Sequence, residues 1–138
     1  MNMKTITTYL VEDSAVIRES LIATLEELSE VQVIGTAEDE SSATRWLQEP
    51  QNHPDLVIID LFLKTGTGMG VLRSMHDHTH DSTLVVLTNY ATKDMRQKCL
   101  ALGATRVFDK SHDVDALIVY CNQLAAGEHA NCGSRMLQ

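Results

Sequence analysis

Asp55-Leu56-Val57-Ile58-Ile59-Asp60 is the stretch whose reading decides the fold. Four aliphatic residues between two aspartates are too few for a helix, and their unbroken apolarity leaves no side facing water. Such a run is a strand buried on both faces, as in a parallel sheet covered by helices. Working outward, Ile6–Val11 and the shorter runs at 31–34, 84–87 and 106–108 read as four more strands. Between them the apolar spacing changes to three and four. Ser14 can cap a helix carrying Ile17, Leu21, Ile22, Leu25 and Leu28. Residues 41–48 form a short helix with Ala43, Trp46 and Leu47 on one side, broken by Asn52, His53 and Pro54. Gly66-Thr67-Gly68-Met69-Gly70 reads as a flexible loop leading into a helix that runs to about Met75. Thr92 can cap a helix with Met95, Cys99 and Leu102, stopped at Gly103. Val114, Leu117, Ile118, Cys121, Leu124 and Ala125 mark the last helix, ended by Gly127. The order is strand then helix five times, the pattern of an α/β domain with a parallel sheet.

The chain has 138 residues, enough for one domain with its own core. Residues 1–126 are expected to form it and 127–138 a loose tail. Hydrophobic content of 43% and charged content of 22% are ordinary for a globular protein. The apolar runs are far shorter than a membrane span, and the first residues lack the long apolar stretch of a signal peptide, so cytoplasm is the expected location. Net charge is −8, from 11 basic and 19 acidic residues, with no run of Lys or Arg to track a phosphate backbone. Direct nucleic-acid binding is not expected. Three cysteines with no metal-ligand spacing give no disulfide framework. Cys99 and Cys121 read as small buried thiols, whereas Cys132 lies in the tail.

In a parallel sheet the loops after the strands gather on one edge. There the chain places Glu12, Asp13, Asp60, Thr88 and Lys110, each just after an apolar run. Three carboxylates, a hydroxyl and an ammonium converging on one edge make a site for Mg²⁺ and a phosphoryl group. A lone Glu-Asp pair before a helix is more often an N-terminal cap, and a lone Asp after a strand a turn residue. It is their coincidence at successive strand ends that argues for chemistry.

In these elements the chain resembles a two-component response regulator receiver domain. The likeness covers roughly residues 4–126. It rests on Leu10-Val11-Glu12-Asp13, Asp55–Asp60, Leu84-Val85-Val86-Leu87-Thr88, and Gly103-Ala104 leading to Asp109-Lys110. The resemblance implies a doubly wound (βα)5 flavodoxin-like sandwich of three layers, its five-stranded parallel sheet ordered 2-1-3-4-5. It implies that Asp60 is the phosphoacceptor and that Glu12, Asp13, Asp60 and the backbone carbonyl of Phe62 hold Mg²⁺. Thr88 would donate to one phosphoryl oxygen and Lys110 would pair with another, or with Asp60 before phosphorylation. The implied phosphodonor is a sensor histidine kinase or a histidine phosphotransfer protein. As a stand-alone receiver the chain would signal to a downstream protein effector, relay the phosphoryl group, or act as a phosphate sink. A pseudo-receiver that only binds is disfavoured by the intact set of five residues. The fourth helix, fifth strand and fifth helix would form the contact face and allow a homodimer, with Lys93, Arg96, Lys98 and Arg106 making parts of it basic.

Three departures from the family pattern carry expectations. Ser111 follows Lys110 where many receivers have proline, so the 110–111 peptide is expected to be trans. Val107 stands where the family usually has a switching aromatic, with Phe108 on the opposite face of the strand, so switching would pass through the loop of Asn89 and Tyr90. Phe62 and Tyr90, two residues beyond Asp60 and Thr88, would flank the hydrolytic water and slow loss of the phosphoryl group.

Other readings fit less well. The glycine-rich loop lacks both GxGxxG and the Lys-Ser/Thr ending of a P-loop. Glu12-Asp13 would repel the phosphate of a flavin. A haloacid-dehalogenase phosphatase needs a second Asp where Phe62 stands. His76, His78 and His80 read as a solvated loop rather than a metal site, and Trp46 as packing.

Overall fold

In the computed structural model, which describes residues 3–127, the two periodicities separate into strictly alternating elements. These are β1 (Ile6–Val11), α1 (Ala15–Leu28), β2 (Val31–Ala37), α2 (Glu40–Gln48), β3 (Leu56–Ile59), α3 (Gly68–His76), β4 (Thr83–Thr88), α4 (Lys93–Ala101), β5 (Ala104–Asp109) and α5 (Val114–Ala125). All strands are parallel, in the order β2-β1-β3-β4-β5. The α/β sandwich has the flavodoxin-like topology expected from the sequence.

Every residue of β3 is buried because its alternate side chains enter two different cores. Val57 and Ile59 join Ala43, Val71, Leu72 and Cys99 of α2, α3 and α4 on one face. Leu56 and Ile58 join Leu21, Leu25, Leu117 and Cys121 of α1 and α5 on the other. A central strand flanked by two such layers has no solvent side, so its sequence cannot alternate. Val107 and Phe108 separate between the same two cores, as expected.

The helix starts follow their caps. The side chains of Ser14, Asp39, Thr67 and Thr92 each accept a backbone N–H in the first turn of α1, α2, α3 and α4. Gly103 ends α4 with φ of 104°, the conformation that glycine adopts without steric cost. The 110–111 peptide is trans, since no cis bond occurs among the described residues.

Two boundaries differ in an instructive way. The second strand does not stop before Gly35 but runs on to Ala37, with a bulge that pairs Thr8 to Val33 and Tyr9 to Gly35. A Cβ on Gly35 would lie 3.0 Å from the Tyr9 ring, which stacks on Trp46 at 4.0 Å between centroids. The glycine makes room for that ring instead of ending the strand. Likewise Gly68 and Gly70 are not in a loop but in the first turn of α3. Apart from Gly127, the expected tail of residues 127–138, with Cys132, lies outside the described residues. Cys99 and Cys121 are both buried and free. No helix among the described residues is long and apolar enough to cross a membrane.

Candidate functional site

Parallel strands deliver Glu12 and Asp13 after β1, Asp60 after β3, Thr88 at the end of β4 and Lys110 after β5 to one edge of the sheet. Each of Glu12, Asp13 and Asp60 can bring a carboxylate oxygen within 4.8 Å of the others. Glu12 is 2% exposed and Asp60 7%, so two of the three charges are largely removed from water. Such charges require compensation. Lys110 supplies it, donating from Nζ to Glu12 Oε1 at 2.6 Å and to Asp60 Oδ2 at 2.8 Å. The pairing with Asp60 was expected; the shared bond to Glu12 was not.

Burial pushes the Glu12 carboxyl above its ordinary range, although the Lys110 ammonium and the Ser14 N–H both favour its charged form. Burial also opposes the charge on Lys110, but hydrogen bonds to Asp60 and Glu12 outweigh it and hold its pKa above the usual lysine value. One ammonium among three carboxylates leaves a concentrated negative charge. A small hard cation with oxygen ligands suits that donor set. Arg18 Nη1 donates to the Glu12 carbonyl at 2.9 Å and holds the end of β1 in place.

These groups floor a cleft of about 260 Å³ whose rim includes Phe62 and Tyr90. The two rings lie 4.5 Å apart between centroids, tilted by 57°, and both are half exposed. Thr88 is fully buried and does not line the cleft. Its hydroxyl accepts the Tyr90 N–H at 3.2 Å. Of the residues singled out in the sequence, Glu12, Asp13, Asp60, Phe62, Tyr90 and Lys110 therefore meet, while Thr88 sits one layer below.

A larger cleft of about 430 Å³ opens at the other end of the strands, lined in part by His53, His78 and His80. His78 Nδ1 bonds the Ser74 carbonyl and His80 Nδ1 accepts the Ser82 N–H. His76 is not among its lining residues, and Glu12, Asp13 and Asp60 are the group among the described residues that could hold a metal ion.

A profile of the response regulator receiver domain matches residues 8–122. The chain belongs to the response regulator receiver domain family. It is 28% identical over 95 residues to the transcriptional regulatory protein YdfI of Bacillus subtilis, covering 69% of this chain and 43% of that protein. It is 26% identical over 136 residues to the transcriptional regulatory protein CitB of Klebsiella pneumoniae, covering 94% of this chain and 57% of that one. Among solved structures it resembles a LuxR-family two-component response regulator from an Aurantimonas species, with a TM-score of 0.79 and 25% identity over 91% of this chain and 89% of that chain. The chain spans about half the length of the curated relatives it matches. It is thus a receiver domain of the two-component type, a class phosphorylated on aspartate by histidine kinases or phosphotransfer proteins.

Arg96, expected on a basic surface, keeps a side chain 41% exposed while its guanidinium bonds backbone carbonyls. Its Nε donates to the Ala91 carbonyl at 3.1 Å and its Nη1 to the Val107 carbonyl at 2.7 Å. A longer contact of 3.9 Å reaches Asp113 at the start of α5. The guanidinium thus ties the β4–α4 loop to the strand position where the family usually has its aromatic. Nothing local distinguishes Arg96 from Lys93 or Lys98; only the packing of α4 on β5 selects it.

Proposed function

We propose that Asp60 is the phosphoacceptor and that a histidine kinase or histidine phosphotransfer protein is the donor. A carboxylate oxygen of Asp60 would attack phosphorus, the bond from phosphorus to the donor imidazole nitrogen would break, and an aspartyl phosphate would form. The nitrogen leaves with its electron pair and takes up a proton. The observation that carries this reading is the single ammonium of Lys110 bonded to both Asp60 and Glu12 in an otherwise acidic cleft. Phosphoryl transfer needs charge neutralisation more than covalent chemistry, and such a cleft provides it.

Glu12, Asp13, Asp60 and the Phe62 carbonyl would hold Mg²⁺, which when bound would neutralise charge on the phosphoryl oxygens. Lys110 would move from Asp60 to a phosphoryl oxygen, keeping its bond to Glu12. Thr88 would turn its hydroxyl toward another phosphoryl oxygen and release the Tyr90 N–H. That release would free the loop of Asn89 and Tyr90, and Arg96 would carry its movement to β5 and α5. Val107 packs in the core among partners such as Cys99 and Met95 and has no ring to swing, which leaves this loop as the reader. The α4-β5-α5 face would then present the phosphorylated state to a protein effector or to a second copy of the domain.

The test is incubation with Mg²⁺ and acetyl phosphate followed by intact-mass measurement. Wild type should gain one phosphoryl group and Asp60→Ala none. An unmodified wild type, or an equal adduct on Asp60→Ala, would overturn the assignment.

A further inference from the structure

The loop that carries Asp60 and Phe62 is clipped to the start of α2 by contacts that the acidic cleft does not explain. Lys64 N–H donates to the Glu38 carbonyl at 3.3 Å, and Glu40 N–H to the Thr65 carbonyl at 3.0 Å. The Glu40 side chain adds a third link, its Oε1 accepting the Thr67 N–H at 2.9 Å. Thr67 caps α3, so this carboxylate stands at the positive end of the helix.

The glycines on either side accommodate it. A Cβ on Gly70 would fall 2.2 Å from Glu40 Oε2, and one on Gly66 would fall 2.5 Å from Glu40 Cβ. Between them Gly68 presses on the chain leaving β3: its own Cβ would lie 2.1 Å from the Asp60 carbonyl oxygen. Its N–H donates to the Leu61 carbonyl at 2.9 Å. A connected path therefore runs from the Glu40 carboxylate through Thr67 and Gly68 to the backbone of Asp60 and Leu61, one residue short of Phe62.

Three glycines within five residues would otherwise leave this segment many conformations. A Mg²⁺ site tolerates little error in the placement of its oxygens. We propose that Glu40 is a positioning residue, which holds the β3–α3 loop so that the Asp60 carboxylate and the Phe62 carbonyl keep metal-binding geometry. The inference rests on the phosphoryl-transfer reading and extends it to a residue outside the cleft.

Mg²⁺ titrations of wild type, Glu40→Ala, Glu40→Gln and Gly70→Ala, followed by amide NMR shifts with no phosphodonor present, test it. Glu40→Ala should raise the Mg²⁺ half-saturation by on the order of tenfold, the lower end of the loss when a partner behind a metal ligand is removed. The Thr67 and Gly68 amides of its metal-free form should also exchange faster with solvent. Glu40→Gln keeps an oxygen for the Thr67 N–H and should restore both to near wild type. Gly70→Ala should mimic Glu40→Ala, and the double variant should be no worse than either, because both remove one interaction. If Glu40→Ala folds poorly, Glu40→Asp, with charge kept and reach shortened, should show the same direction of change. Wild-type Mg²⁺ affinity in the alanine or aspartate variant would overturn the proposal and leave Glu40 a helix cap. Failure of wild type itself to bind Mg²⁺ would overturn it together with the phosphoryl reading, so the two failures are distinguishable.

Discussion

The two loops that face each other across the cleft are held in different proportions by backbone and side chains. The β3–α3 loop is fastened by backbone hydrogen bonds to its neighbours, by the antiparallel bridge between Phe62 and Thr67, by Gly68 pressed on the Asp60 backbone, and by one side chain, Glu40. The β4–α4 loop hangs chiefly on side chains. Thr88 Oγ1 accepts the Tyr90 N–H, Ser111 Oγ donates to Asn89 Oδ1 at 3.1 Å, and Arg96 grips the Ala91 carbonyl. Side-chain bonds rearrange by rotamer changes, whereas close backbone packing yields only when the chain itself moves. The first loop is therefore built as a frame and the second, on the function proposed above, as a reader.

The sharpest way to break this contrast is to overfill the frame. Gly68→Ala would drive a methyl group against the Asp60 carbonyl and should cost about 3 kcal/mol, the upper range for overpacking. A denaturant midpoint indistinguishable from wild type would mean the frame is softer than its contacts imply. At the two rings of the cleft rim, one on each loop, truncation should leave stability almost unchanged and act on rate. Phe62→Ala and Tyr90→Ala should each speed loss of the phosphoryl group by roughly three- to tenfold, on the order of 1 kcal/mol of barrier, by admitting water to the aspartyl phosphate. An unchanged dephosphorylation rate would remove the shielding role from both rings.

The smallest expected effect is acidic. Asp39, capping α2 beside the frame, is held below its ordinary value of 3.8 chiefly by the Ser42 N–H. Asp109, beside the reader, is held below the same value chiefly by the Ser111 N–H. Each folded pKa is depressed, so the stability each contributes is present above pH 3.8 and is lost as pH falls through the lower folded value. Asp39→Asn and Asp109→Asn should each flatten the acid limb of a stability–pH curve slightly. A limb that keeps its full slope in both variants would show that the acid sensitivity lies elsewhere.

The fold was legible because parallel strands buried on both faces write themselves as unbroken apolar runs, and because Ser14, Thr92 and Gly103 signal helix ends locally. The acidic cluster was legible because topology alone brings strand ends together. What escaped depends on distant partners. Gly35 looks like a stop only while the Tyr9 ring beside it is unseen, and the glycines at 66, 68 and 70 look like slack until Glu40 and the Asp60 carbonyl fill the space. The bond from Lys110 to Glu12 spans 98 residues, and no local pattern encodes it. Nor does the sequence tell that the Thr88 hydroxyl is turned onto its own loop.

The stack of Tyr9 on Trp46 gives the domain an optical consequence. Trp46 is the single tryptophan, and its ring lies parallel to Tyr9 within 8° on the α2 side of the sheet. Tyr90 stands half exposed at the mouth of the cleft, with Phe62 as its ring partner. Indole emission excited at long wavelength should therefore follow the integrity of the core, while in the folded domain, where Tyr9 and Tyr120 stay buried, changes in phenol absorbance should follow the cleft. One unlabelled sample would thus carry two signals, one for whether the domain is folded and one for the state of its cleft.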